Sequence, residues 1–504
     1  MMLYFPSRWA LMLLALCCPI AAGIQGDAAA ATRKQMVDIP PISPSPEEAT
    51  FGSRINRTMT LLATSTEEHR NTVNMMFYGQ SVTAGLMTGD MLAELQDRFP
   101  HANIILKKRA IGGFGSPALL RTAPHDLYYE HPDFIFFHCW GGEKTGEMEE
   151  LVANMRKLTS ADIMMFTHAW AFVADDEEKA ASRAASDQAS SDEIRRIAEK
   201  YGCELVEVRK EWKHYLDTNG MTINMLMGDT VTSNVHPNAK GHTLLAKLIL
   251  RHFRYDPSRP VDWVERVKRY DAKEAFGQTN GPLSLTGAWD SESEGVVTRS
   301  SESRLKLMFH GNRVDVIAAP SANPGTASIL IDGKTPSSFP EMYYCTRPSK
   351  VYGGTRPAIK RVDIGENSVI ETWTLTITEI RDEDAKDFSF DLKGSVTGPD
   401  GSGNSKEPFV SNSGRIRIDP KDFMVAWAQG YRKKKCPEGF EITWDVKPNF
   451  LDVWKPQPIE DRTLEDIYRL AVGLSNAPHT LEIIPNGDGD IAISAIQVFA
   501  PPLR

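Results

Sequence analysis

The chain predicts an α/β domain followed by an all-β domain, and three observations carry that reading. From about Asn74 to Tyr255, short apolar runs alternate with stretches whose apolar residues recur every three to four positions. Strands separated by helices call for a parallel sheet covered on both faces. After Tyr255, Pro257 and Pro260 break the last helix and period-two alternation takes over. The length of 504 residues leaves room for two to four domains at about 150 residues each.

The elements follow in order. Met75-Met76-Phe77-Tyr78 reads as a buried strand, and Met91, Leu92 and Leu95 open a helical spacing. Further strands are expected at Ile105-Leu106, from Phe134 to Phe137, from Ile163 to Phe166, and from Leu205 to Val208. Met148, Leu151, Val152 and Met155 share one helical face; Ile194, Ile197 and Tyr201 share another, behind a capping box of Ser190 and Glu193. In the second half Leu305, Leu307 and Phe309 alternate, Gly311-Asn312 is expected to turn the chain, and Val314 and Val316 alternate again. Leu481 and Ile483, then Ile491 and Ile493, repeat the pattern around Asn486-Gly487-Asp488-Gly489. Ser395 to Ser413, rich in Gly, Ser and Asn, reads as a long surface loop.

Arg8 precedes an apolar run from Trp9 to Ile20, and Ala21, Ala22 and Gly23 follow. That is the pattern of an export signal, and the run is shorter than the roughly 20 residues of a membrane span. The expected organisation is a signal peptide over 1–23, an N-terminal extension over 24–73, the α/β domain over 74–255, a linker over 256–281 and a β-sandwich over 282–504. The mature chain is expected outside the cytoplasm, in the periplasm or extracellular space, with no membrane span.

Composition excludes some function classes. An apolar content of 41% and a charged content of 24% are ordinary for a globular protein. A net charge of −9, with no basic stripe beyond Arg432 to Lys435, argues against nucleic acid. Cys139, Cys203, Cys345 and Cys436 remain after export, with no CxxC pair and no metal-ligand spacing. An oxidising compartment would permit a disulfide between Cys345 and Cys436.

Chemistry concentrates in two places. Ser81 ends the first strand, at the carboxyl edge of a parallel sheet, where ligands bind in such folds. His236 opens His236-Pro237-Asn238-Ala239-Lys240-Gly241-His242, just before the helix of Leu244, Leu245, Leu248 and Ile249. A serine hydroxyl becomes a useful nucleophile when an imidazole accepts its proton, and separation in sequence is no obstacle. No GxSxG, HExxH, GxxxxGK or strand-borne GxGxxG is present. His168, at another strand end, also reaches the sheet edge.

These segments resemble the SGNH (GDSL-type) hydrolase superfamily over roughly Asn74 to Tyr255. Gly79-Gln80-Ser81 resembles the first block, with Gln where many members have Asp. Arg109-Ala110-Ile111-Gly112-Gly113-Phe114 resembles the second, whose glycine donates an N–H to the oxyanion; Gly113 is favoured for that role and Gly112 is the alternative. His236-Pro237-Asn238 resembles the fifth. The resemblance implies a flavodoxin-like α/β/α hydrolase domain and a serine esterase needing no metal or organic cofactor. The β-rich half loosely resembles the jelly-roll modules of bacterial carbohydrate esterases. An acylated saccharide, with acetyl as the acyl group, is the substrate thereby implied. Trp373, Trp427, Trp444 and Trp454 are candidates to stack on sugar rings, although tryptophans are more often core.

Two departures from the family pattern stand out. The third block normally supplies an Asn to the oxyanion, but the equivalent strand continues His138-Cys139-Trp140-Gly141-Gly142-Glu143. Loss of such a donor costs about 3 kcal/mol; Trp140, His138 and the Gly141 N–H are possible substitutes, and a carboxylate at Glu143 would repel an oxyanion unless protonated or turned away. The family's acid lies three residues before the histidine, where this chain has Ser233. Asp229 lies further upstream, and an insertion over Thr230 to Ser233 would make it the residue that orients His236. The competing expectations are a degenerate carbohydrate-binding protein and a lipase or thioesterase for longer acyl chains.

Overall fold

The computed structural model describes residues 35–170, 177–228, 235–261, 263–278, 280–458 and 460–503. The expected signal segment, with Asp229 and Ser233, lies outside the described residues.

Strand β1 (Thr72–Gly79) owes its place to two-sided burial: Val73, Met75 and Phe77 enter one core, Met76 and Tyr78 the opposite one. Strands β3 (Phe134–His138) and β4 (Asp162–Phe166) repeat this division, Phe134, Phe136, Met164 and Phe166 on the first side, Ile135, Phe137, Ile163 and Met165 on the second. Continuous apolar runs therefore mark the sheet interior. Strand β2 (Asn103–Ala110) is an edge, and Lys107, Lys108 and Arg109 blunt it with charge. With β5 (Glu204–Val206) the parallel order is β2-β1-β3-β4-β5.

Helices cover both faces. On the first lie α1 (Asn56–Ala63), α3 (Thr88–Arg98), α7 (Val208–Thr218) and α8 (Ala239–Arg251); on the second, α4 (Ser116–Asp126), α5 (Glu147–Leu158) and α6 (Glu177–Lys200). A short α2 (Ser81–Gly85) follows β1 directly. Part of the expected N-terminal extension is thus core, because α1 buries Met59 and Leu62. Val208 begins a helix rather than ending a strand, and Ser190 lies inside the continuous α6, so it caps nothing.

The second half has two β cores. One sheet is built on Arg304–Ala318, flanked by Asp466–Pro485 and Ile491–Phe499. Strand Val267–Asp271 pairs with the last of these, so the expected linker contains sheet. Gly311 makes no turn; strand Arg304–Ala318 runs through it with an irregularity, and a Cβ there would lie 2.4 Å from the Phe499 carbonyl. The two strands around Asn486-Gly487 pair with that central strand, not with each other. The second core, between Cys345 and Val446, joins a five-stranded and a three-stranded sheet with helix Val425–Arg432. Strands Gly398–Asn404 and Phe409–Val410 occupy much of the expected loop, since backbone pairing tolerates its small residues. Trp373, Trp444 and Trp454 are buried, which removes them as sugar platforms. Cys345 and Cys436 are buried free thiols, not a disulfide, as are Cys139 and Cys203. Among the described residues no helix is long and apolar enough to cross a membrane.

Helix α4 seats the second β core. Arg121 pairs with the fully buried Asp422, Nε to Oδ1 at 2.9 Å, and Asp126 accepts Arg347 Nε at 2.6 Å. Between them His125 is buried. Val362 N–H donates to its Nε2 at 3.0 Å, so Nδ1 carries the proton given to the Cys345 carbonyl at 2.9 Å. Burial holds this imidazole below its ordinary value, although the Cys345 bond works the other way. A charged ring would lose the Val362 bond.

The unfolded chain therefore takes up the proton first, and stability falls as pH drops below the unfolded value of about 6.5. His125→Gln should remove up to about 1.4 kcal/mol of that loss per pH unit. The check is the urea midpoint at several pH values below neutrality; an unchanged slope would refute the assignment.

Candidate active site

Ser81 stands where β1 hands over to α2, between β2 and β3, the point at which the strand order reverses and ligands bind in open parallel sheets. Backbone shape places it there. Gly79 has φ +157°, and a Cβ on it would lie 2.1 Å from the His138 carbonyl oxygen. Thr83 Oγ1 donates to the same carbonyl at 3.3 Å.

His236 arrives from the opposite end of the domain. Its carbonyl accepts Gly228 N–H at 3.0 Å, and Met227 bridges Pro237. Asn238 caps α8, accepting Gly241 N–H at 3.1 Å while its amide donates to the carbonyls of Met225 and Met227. Gly241 is required by close approach, since a Cβ would lie 2.1 Å from the Leu226 carbonyl. So held, His236 Nε2 lies 2.9 Å from Ser81 Oγ, and both residues are half-buried.

Gly112 and Gly113 form an exposed turn after β2. Gly113 has φ +75°, a left-handed conformation that favours glycine. Its N–H, like that of Ser81, makes no hydrogen bond among the described residues. The Gly112 carbonyl accepts Arg356 Nε–H at 3.1 Å.

The third segment is committed elsewhere. Glu143 turns inward: its Oε1 accepts Gly141 N–H at 2.7 Å and faces His168 Nε2 at 2.9 Å. Gly141 is thereby removed as an oxyanion donor, because its only N–H is used. Burial alone would raise the Glu143 carboxyl, but the His168 and Gly141 bonds outweigh it and hold the group below its ordinary value. A carboxylate only accepts, so His168 carries its proton on Nε2 and presents a bare Nδ1 to His138 Nε2, 3.0 Å away. His138 then donates from Nε2, and its own Nδ1 is bare, buried and without a partner. Burial, reinforced by neighbouring His168, keeps His138 well below the usual imidazole range. A neutral His138 with this tautomer cannot donate to an oxyanion. Trp140 stacks on His168 at 3.6 Å, and its indole N–H is buried with no acceptor.

No family model and no curated protein sequence matches the chain. Among solved structures it is similar to Axe2, an acetylxylan esterase from Geobacillus stearothermophilus, with 17% identity and a TM-score of 0.31 over 38% of this chain and 98% of that one. A two-domain esterase, CEX, active on acetylated mannans, matches at 14% identity and a TM-score of 0.31, over 90% of this chain and 95% of the other. LAE5, an alpha/beta hydrolase enzyme from the metagenome of Lake Arreo, Spain, matches at 19% identity and a TM-score of 0.30, over 36% and 94%. The resemblance to the SGNH hydrolases rests on the three motifs at Ser81, Gly113 and His236. The strand order and the meeting of serine and histidine at the carboxyl edge of the sheet are what that resemblance, read from three short motifs, leads one to expect.

Of the residues singled out in the sequence, Ser81 and His236 meet, and Gly112 and Gly113 form an exposed turn. Gly141 is diverted, and Trp140 packs on the buried histidines. The pairing of Glu143 with His168 and His138 was not legible, because it joins the ends of two strands across the sheet. Among the described residues no group of three or more His, Cys, Asp or Glu is arranged to hold a metal ion.

Glu143→Ala strands two buried donors and should cost about 3 kcal/mol, whereas Glu143→Gln, which keeps one acceptor, should cost about 1. Urea denaturation of the two variants measures this; equal costs would contradict the bonding scheme.

Proposed function

We propose that the chain is an exported serine esterase that removes acyl groups, acetyl above all, from a saccharide. The observation that carries the reading is the 2.9 Å approach of His236 Nε2 to Ser81 Oγ at the carboxyl edge of the sheet. An imidazole at hydrogen-bond distance accepts the hydroxyl proton as the oxygen attacks.

In this mechanism Ser81 Oγ bonds to the ester carbonyl carbon while its proton passes to His236 Nε2. The tetrahedral oxyanion is held by the N–H groups of Ser81 and Gly113. The carbon–oxygen bond to the sugar then breaks, and His236 returns the proton to the departing hydroxyl. Water, deprotonated by His236, hydrolyses the acyl-serine and releases the carboxylic acid. Asp229 is assigned the orientation of the imidazole through Nδ1, which selects the tautomer and stabilises the imidazolium.

Acetyl and saccharide rest on the family resemblance and on the large β-rich half; export rests on the Trp9–Ile20 run after Arg8. No nucleic acid partner and no organic cofactor belong to the reading.

Hydrolysis of 4-nitrophenyl acetate should exceed that of the octanoate, and Ser81→Ala or His236→Ala should each lower turnover by about 10⁴-fold or more. Full activity in Ser81→Ala would end the proposal. A faster reaction with octanoate would make the enzyme a lipase or thioesterase. Asp229→Asn should lower turnover by about 10⁴ and Ser233→Ala far less; the reverse order would leave His236 to be oriented by another group.

A further inference from the structure

The oxyanion turn is gripped from the far half of the chain. Arg356, in the second β core, donates from Nε to the Gly112 carbonyl at 3.1 Å. Its guanidinium lies 5.0 Å from the Phe114 ring centroid and 4.1 Å from that of Trp427, and Trp427 stacks on Tyr431. Arg356 is itself anchored, since its carbonyl accepts Val351 N–H at 3.0 Å and Lys350 bridges Pro357. The fit at Gly113 is close: a Cβ there would lie 2.2 Å from an Arg356 guanidinium nitrogen.

One peptide unit links this grip to the proposed chemistry. The carbonyl of Gly112 and the N–H of Gly113 belong to the same planar, trans peptide, so they point in opposite directions. A donor fixed on the carbonyl therefore fixes the direction of the N–H. The exposed, left-handed Gly113 has no side chain of its own to hold that plane. A cationic donor also polarises the peptide and strengthens its N–H as a donor.

We propose that Arg356 is a positioning residue for ester hydrolysis: it clamps the Gly112–Gly113 peptide so that Gly113 N–H faces the tetrahedral oxyanion. The inference rests on the esterase reading and makes the second β core part of the catalytic apparatus, acting through the backbone and without touching substrate. Phe114 and Trp427 both lie within cation–π reach of the guanidinium, and a planar fork suits such contacts better than an ammonium does.

The test uses the full chain with 4-nitrophenyl acetate, comparing the parent, Ser81→Ala, Arg356→Ala and Arg356→Lys. Arg356→Ala should lower kcat by about tenfold to a hundredfold, less than the outright loss of an oxyanion donor, with KM changed less than about twofold. Arg356→Lys, which still reaches the carbonyl, should recover part of the loss. Phenylboronic acid, which forms a tetrahedral adduct on a nucleophilic serine, should weaken by the same factor as kcat/KM. A merely structural role would not produce that parallel. Unchanged kcat in Arg356→Ala, or a rise in KM alone, overturns the inference while Ser81-dependent hydrolysis by the parent keeps the esterase reading. Absence of Ser81-dependent hydrolysis in the parent overturns both. If Arg356→Ala does not fold, Arg356→Lys decides: a lowered kcat at an unchanged thermal midpoint supports the clamp, and parent-like kcat and boronate affinity overturn it.

Discussion

A Cβ added to Gly79 would lie 2.1 Å from the His138 carbonyl oxygen and 2.4 Å from Thr83 Oγ1. The end of β1 thus presses on the end of β3 with space for hydrogen alone, and the chain leaves the sheet at once into α2. Everything at the site is referred to that contact. Ser81 is the second residue after it, the Gly112 turn is joined to it through Ile111 N–H on the Gly79 carbonyl at 2.9 Å, and His138 supplies its far side. The strand-order reversal opens a crevice, and the Gly79 contact decides which hydroxyl stands in it.

The residues beneath the crevice show how buried polarity is reconciled with a dry sheet. The charge of Glu143 is drawn inward by Gly141 N–H and His168. Each group settles the proton of the next, so a single carboxylate determines two imidazole tautomers. The result is rigid at the expense of donors: Gly141 N–H is spent and His138 has no proton to offer. The N–H groups of Ser81 and Gly113 make no hydrogen bond among the described residues.

The α/β half does not hold its own helices alone. Helix α4 carries Arg121, His125 and Asp126 in just over one turn, and they bond to Asp422, to Cys345 and Val362, and to Arg347 of the second β core. Arg266, just before the first β strand of the C-terminal half, reaches Asp162 Oδ1 at 3.0 Å. Buried ion pairs of this kind specify a docking geometry, because either partner left alone would be an uncompensated charge. The same docking carries Arg356 to the Gly112–Gly113 turn.

The sequence by itself determined the parallel sheet, since strands buried on both faces must be apolar at consecutive positions, as Met75 to Tyr78 and Phe134 to Phe137 are. It also made Ser81 and His236 legible as candidates, because a strand-end serine and a helix-start histidine are local features, while their 2.9 Å approach is a long-range contact. Small polar residues misled it: Gly311 passes through a strand, and Ser395 to Ser413 contains strands, because pairing with neighbours distant in sequence outweighs weak local preference. Tertiary structure alone decided the tautomers of His138 and His168, the diversion of Gly141, the division of the β half into two cores, and the grip of Arg356 on Gly112. Each of these joins groups that no local period relates. Their geometry is set by how strands, helices and a separate β core pack, and packing is a property of the whole chain.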